Sequence, residues 1–132
     1  MADIRVLIVD DVEGVRQDLR TFLSLAGDIE IVGEAGNGLE AVELANVLSP
    51  QVVLMDLEMP VMDGHESTRQ IKASRPSCHV IVLTIHADEA ERQRVFRNGA
   101  DDFIVKGAPL ETLLEAIHKS NVVRNMSKGE TS

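Results

Sequence analysis

Apolar residues along this chain follow two alternating patterns. One is a short unbroken run rich in Val and Ile: Val6-Leu7-Ile8-Val9, Val52-Val53-Leu54-Met55, Val80-Ile81-Val82-Leu83 and Phe103-Ile104-Val105. Runs this short, bounded by polar or turn residues, predict strands buried on both faces. A fifth strand is predicted over Ile29 to Ala35, stopped by the turn signal Gly36-Asn37-Gly38. The other pattern has a three- and four-residue period, as in Val12, Val15, Leu19, Phe22 and Leu23, then Leu39, Val42 and Ala45. It predicts amphipathic helices. Gly27-Asp28 ends the first and Pro50 limits the second. Further helices are predicted from about His65 to Ala73 and from about Asp88 to Arg97, the latter closed by Asn98-Gly99 in the left-handed conformation that Gly tolerates. Leu110, Leu113, Leu114 and Ile117 give the last helix its stripe.

Strand–helix alternation repeated five times implies parallel pairing, right-handed crossovers and helices on both faces of one sheet. The expected architecture is a three-layer α/β domain spanning residues 3–120. Residues 121–132 turn polar, ending Ser127-Lys128-Gly129-Glu130-Thr131-Ser132, and are expected to form a frayed terminus or the start of a linker. With 132 residues, one domain with a real core is the simplest organisation.

Composition narrows the function classes. Hydrophobic residues make up 44% and charged residues 27%, as in ordinary globular domains. The formal charge of −9 argues against direct nucleic-acid binding, which needs Lys and Arg against phosphate. Three Phe with no Trp or Tyr leave little for base stacking. No run approaches the ~18 apolar residues of a membrane span, and no leader pattern is present, so a cytoplasmic protein without membrane contact is expected. The single Cys78 excludes an internal disulfide and is expected to be inert packing. His65, His79, His86 and His118 share no metal-ligand spacing and are expected to be surface or core residues, with His86 a candidate for tuning access near the pocket rim. The charged stretch from Asp88 to Arg97 is expected to be a solvated helix face with internal ion pairs, and docking is its second reading.

The chemistry sits at the strand ends. Asp10 and Asp11 close the first strand, Asp56 the third, Thr84 the fourth and Lys106 the fifth. Ligands of open parallel sheets bind just beyond the carboxyl ends of the strands, so these five side chains are expected in one pocket. Crowded carboxylates repel one another, and a hard dication relieves that repulsion. Mg²⁺ accepts one or two carboxylates and leaves room for a phosphate oxygen. Asp11 and Asp56 are the expected direct ligands, Asp10 acts through water, and the backbone carbonyl of Glu58 can add an oxygen. Asp56, on the central strand, is the candidate nucleophile for an acyl phosphate. Lys106 and Thr84 would neutralise and orient the phosphoryl oxygens.

Val9-Asp10-Asp11, the stretch Met55-Asp56-Leu57-Glu58-Met59-Pro60-Val61-Met62-Asp63-Gly64, Leu83-Thr84 and Val105-Lys106 together resemble the receiver domain of two-component response regulators. The resemblance covers about Asp3 to Ser120. It implies a flavodoxin-like sheet in the order 2-1-3-4-5 and a histidine kinase or phosphotransfer protein that donates phosphate from a phosphohistidine to Asp56. It also implies that Thr84 moves inward onto the phosphoryl group and that Phe103 is the aromatic switch residue. The face built by the fourth helix, fifth strand and fifth helix would then change, with homodimerisation, partner docking or control of a DNA-binding output as the readout. Two positions depart from the commonest family pattern. Ile85 replaces a small residue after Thr84, and Gly107-Ala108 separate Lys106 from Pro109. The Lys-Gly-Ala-Pro form, like Ile31-Val32-Gly33-Glu34-Ala35, is similar to receivers joined to helix-turn-helix DNA-binding domains.

The expected protein is therefore a switch that catalyses its own phosphorylation and slow autodephosphorylation, rather than an enzyme acting on external substrates. The alternative is an aspartyl-phosphate phosphohydrolase with Glu58, two residues after the nucleophile, as general acid. A flavin-binding or purely structural α/β domain is a weaker rival, because the first loop is doubly acidic where a flavin phosphate needs N–H and hydroxyl donors.

Overall fold

The structure, a computed structural model, describes the backbone of residues 3–130 and the side chains of residues 3–121. Five strands and five helices alternate: β1 (Ile4–Val9), α1 (Glu13–Ser24), β2 (Ile29–Ala35), α2 (Gly38–Leu48), β3 (Val52–Asp56), α3 (Gly64–Ser74), β4 (His79–Thr84), α4 (Glu89–Arg97), β5 (Asp102–Val105) and α5 (Leu110–Glu130). The sheet is parallel throughout, in the order β2-β1-β3-β4-β5.

Alternation along each strand assigns the two faces. Leu7, Val9, Val53, Met55, Val80 and Val82 pack with Ala41, Ala45, Ile71 and Val95, so α2, α3 and α4 cover one face. Val6, Ile8, Val52, Leu54, Ile81 and Leu83 pack with Leu23, Leu113 and Ile117, so α1 and α5 cover the other. Both side-chain parities of β1, β3 and β4 are buried, which is why these strands read as continuous apolar runs. Each fully buried Val, Leu or Ile contributes about 1.5–3 kcal/mol relative to exposure.

Local chemistry sets the boundaries. Asn37, Asp63 and Asp88 accept hydrogen bonds from the backbone N–H of Glu40, Glu66 and Glu91, capping α2, α3 and α4. Arg5 donates to the carbonyls of Leu48 and Ser49 and so closes the far end of α2. Gly99, with φ of +98°, turns the chain after α4 where a side chain would be strained. The backbone of α5 is helical to Glu130, ten residues past Ser120. Residues 131 and 132 of the expected polar tail lie outside the described residues. Among the described residues, no helix is long and apolar enough to cross a membrane.

Candidate functional site: an acidic cleft at the carboxyl edge of the sheet

Strand order decides which side chains meet. Because β1, β3, β4 and β5 are consecutive neighbours, their C-terminal ends bring Asp10, Asp11, Asp56, Thr84 and Lys106 to one cleft of about 280 Å³. Carboxylate oxygens of Asp10, Asp11 and Asp56 all lie within 4.8 Å of one another. The Lys106 ammonium spans two of these acids, 2.9 Å from Asp10 Oδ2 and 3.2 Å from Asp56 Oδ1. Lys106 is itself held by its backbone N–H, which donates to the Thr84 carbonyl at 2.8 Å.

Each acid has a different environment. Asp10 is buried, and its Oδ1 accepts the Val12 N–H while its carbonyl accepts from Arg16 Nη1. Simple helix capping is thus not its role: Val12 occupies the cap position of α1, with no side-chain capping bond. Asp56 is also buried, with Oδ1 accepting from the Leu57 N–H. Asp11 is exposed at the mouth. Burial raises the Asp56 carboxyl above the ordinary carboxylate range, the charge of Asp10 adds to that, and Lys106 opposes it. Burial acts to lower Lys106, but the hydrogen bond to Asp10 and the charge of Asp56 outweigh it and hold the ammonium above its usual range. A donor set of three carboxylates with no sulfur or imidazole suits a hard, oxygen-seeking dication.

The remaining expected residues take distinct places. Glu58 lines the cleft, but its side chain turns outward to His86, Oε1 to Nε2 2.6 Å. The Thr84 hydroxyl is buried and accepts the His86 N–H at 3.0 Å. Ile85 is 67% exposed on the rim. Phe103 lies outside the cleft, half-buried against the core on the α2–α3–α4 side.

Other features depend on tertiary packing. A Cβ on Gly64 would stand 2.0 Å from the Asp56 carbonyl oxygen, and one on Gly38 would stand 2.3 Å from the Met62 carbonyl oxygen. Both glycines therefore let the loop after Asp56 close against neighbouring backbone. The sequence marks them as part of the Gly36-Asn37-Gly38 turn and as the end of the Asp56-to-Gly64 stretch, but not their close approach to other backbone. All four histidines face carboxylates: His65 with Glu91, His79 with Asp102, His86 with Glu58 and His118 with Asp28. The expected ion pairs within α4 are not found among the described residues; instead Glu91 meets His65 of α3, and Arg92 stacks 5.1 Å from the Phe96 ring centroid.

Residues 6–118 match the family model described as the response regulator receiver domain. The chain belongs to that family. Receiver relatives extend the picture. It is 41% identical over 117 residues to the response regulator protein VraR of Staphylococcus saprophyticus, covering 89% of this chain and 56% of VraR. The chain thus spans a little over half the length of this curated relative. Among solved structures, it resembles the response regulator domain of Thermotoga maritima CheB (35% identity, TM-score 0.82, 89% of this chain and 96% of that one). It also resembles a DNA-binding response regulator of the LuxR family from Staphylococcus aureus (31% identity, TM-score 0.83, 89% and 98%). The flavodoxin-like order 2-1-3-4-5 expected from the resemblance is the order observed.

Proposed function

We propose that this receiver domain accepts a phosphoryl group on Asp56 from the phosphohistidine of a histidine kinase or phosphotransfer protein, with Mg²⁺ in the acidic cleft. The observation that carries this reading is the convergence of three carboxylate oxygen donors within 4.8 Å under a lysine that already contacts Asp56. An Asp56 oxygen attacks phosphorus, the phosphorus–nitrogen bond of the donor breaks, and the imidazole leaves. Asp11, Asp56 and the Glu58 carbonyl would hold Mg²⁺, with Asp10 reaching it through water. The ion would supply charge neutralisation for the acids and the incoming phosphoryl oxygens. Lys106 would exchange its contact with the Asp56 carboxylate for one with a phosphoryl oxygen. Thr84 would surrender the His86 N–H and turn its hydroxyl inward, and Phe103 would follow into the space vacated.

A phosphoryl group shifts this equilibrium only through contacts made better in one state than the other. The Thr84 and Lys106 contacts are those differential bonds, and the α4–β5–α5 face would carry the change outward. The DNA-binding LuxR-family relative supports control of a DNA-binding output in the intact protein. A cytoplasmic location follows from the kinase partnership. The phosphohydrolase alternative is less well supported, because the Glu58 carboxylate that would serve as general acid is engaged by His86.

Incubation with Mg²⁺ and a small acyl-phosphate donor tests the reading. One phosphate per chain is expected, lost on Asp56→Asn and without Mg²⁺; repeated turnover of an unrelated phosphoester would instead establish the hydrolase. Beryllofluoride with Mg²⁺ should then change the mass in solution if dimerisation is the readout, and leave it unchanged if partner docking is.

A further inference from the structure

Among the described residues of α4, only Val95 is buried. One apolar anchor is little for a nine-residue helix, since packing of an apolar face supplies most of the stability of short helices. Polar links must therefore decide where α4 sits. The main one comes from α3. His65 is buried at the start of that helix, immediately after the loop that leaves Asp56. Its Nε2 meets the Glu91 carboxylate, and its Nδ1 lies 3.4 Å from Asn98 Nδ2. A carboxylate only accepts, so Nε2 carries the hydrogen and Nδ1 accepts from the Asn98 amide. One imidazole thus grips both the first turn and the C-cap of α4.

A further observation ties this seam to Thr84. A second histidine–carboxylate bridge, with the roles reversed, spans the same cleft of about 450 Å³: Glu58 from the acceptor loop holds His86 of the β4–α4 loop. Since the His86 N–H is also the partner of Thr84, movement of that hydroxyl pulls on a segment tied down at both ends.

We propose that His65 is a latch: held between Glu91 and Asn98, it fixes α4 in the resting position and opposes closure of the acceptor cleft around a phosphoryl group. Its effect on closure rests on the phosphorylation switch proposed above. Its grip on α4 does not. His65 is a positioning residue, since it acts through α4 and touches no reacting atom.

A double-mutant cycle in the metal-free, unphosphorylated protein tests the grip. His65→Ala and Glu91→Ala should each speed amide hydrogen exchange in α4 about tenfold, and the double variant no more than either alone. Exchange in α1 and α2 should not change. His65→Gln keeps a donor toward Glu91 and should restore most of the protection; His65→Leu, which fills the space but has no donor, replaces His65→Ala in the cycle if that variant does not fold. Beryllofluoride binding with Mg²⁺ tests the consequence: release of the latch should tighten it about fivefold, because less of the binding energy is spent on moving α4. Additive effects on exchange overturn the latch, and so does faster exchange with unchanged beryllofluoride affinity. If the wild-type protein bound no beryllofluoride at all, the switch reading would fall, while the exchange cycle would still decide the grip.

Discussion

Asp56 has two opposed demands placed on it. As the proposed phosphoacceptor it would have to be buried enough to share its oxygens with a cation and a phosphoryl group, yet ionised enough to attack. Burial and Asp10 raise its pKa while Lys106 restrains it, so the folded chain binds this proton more tightly than the unfolded one. That contribution to stability is complete below the ordinary carboxylate pKa and is lost as pH rises through the folded value. Asp56→Asn should therefore raise the melting temperature by a few degrees at pH 7, and the gain should vanish in acid; melts across pH 3–8 check the sign. Ile85 acts differently. Exposed on the rim, it would narrow the approach of water to Asp56 once that residue carried a phosphoryl group. Ile85→Ala should shorten the acyl-phosphate lifetime about three- to tenfold, measured as loss of label after donor removal. Asp10, Asp56, Thr84 and Lys106 were readable in the sequence because each directly follows or ends an apolar run, and Asp11 because it stands beside Asp10. The partners of the histidines were not, because spacing along a chain carries no information about which carboxylate folds opposite.

At the level of elements, the loop from Asp56 to Gly64 is built as much from backbone as from side chains. The Gly64 N–H donates to the Leu57 carbonyl, and the Gly38 N–H donates to the Met62 carbonyl, each at 2.9 Å. Val61 has φ of +69°, and the Met62 N–H donates back to the Pro60 carbonyl, a three-residue turn that strains a β-branched residue. Such a turn holds the Met62 carbonyl on the start of α2. Gly64→Ala, whose Cβ would collide with the Asp56 carbonyl, should destabilise the protein by about 3 kcal/mol. A lower urea midpoint with an unchanged slope would bear this out. Helix and strand positions were legible because period and caps agree at nearly every element. The extent of α5 was not, because the stripe of Leu110, Leu113, Leu114 and Ile117 ends well before Glu130.

On the scale of the whole molecule, the acidic cleft concentrates part of a net charge of −9, and three carboxylates meet there with one lysine. A dication that binds only the folded chain stabilises it by mass action: at ten times its dissociation constant, Mg²⁺ should add about 1.4 kcal/mol. Thermal melts with and without Mg²⁺ should separate accordingly, and chelation or Asp11→Asn should remove the difference. By itself the sequence determined the five strand–helix units and the polar residues at the ends of four of the strands, because both follow from local periodicity and from where apolar runs stop. Tertiary structure alone decided that β1, β3, β4 and β5 lie side by side, so that acids distant along the chain come within ångströms of one another. It also decided that His65 reaches across to Glu91 and Asn98, since such a contact depends on how α4 lies against α3 and leaves no mark on the spacing of either segment.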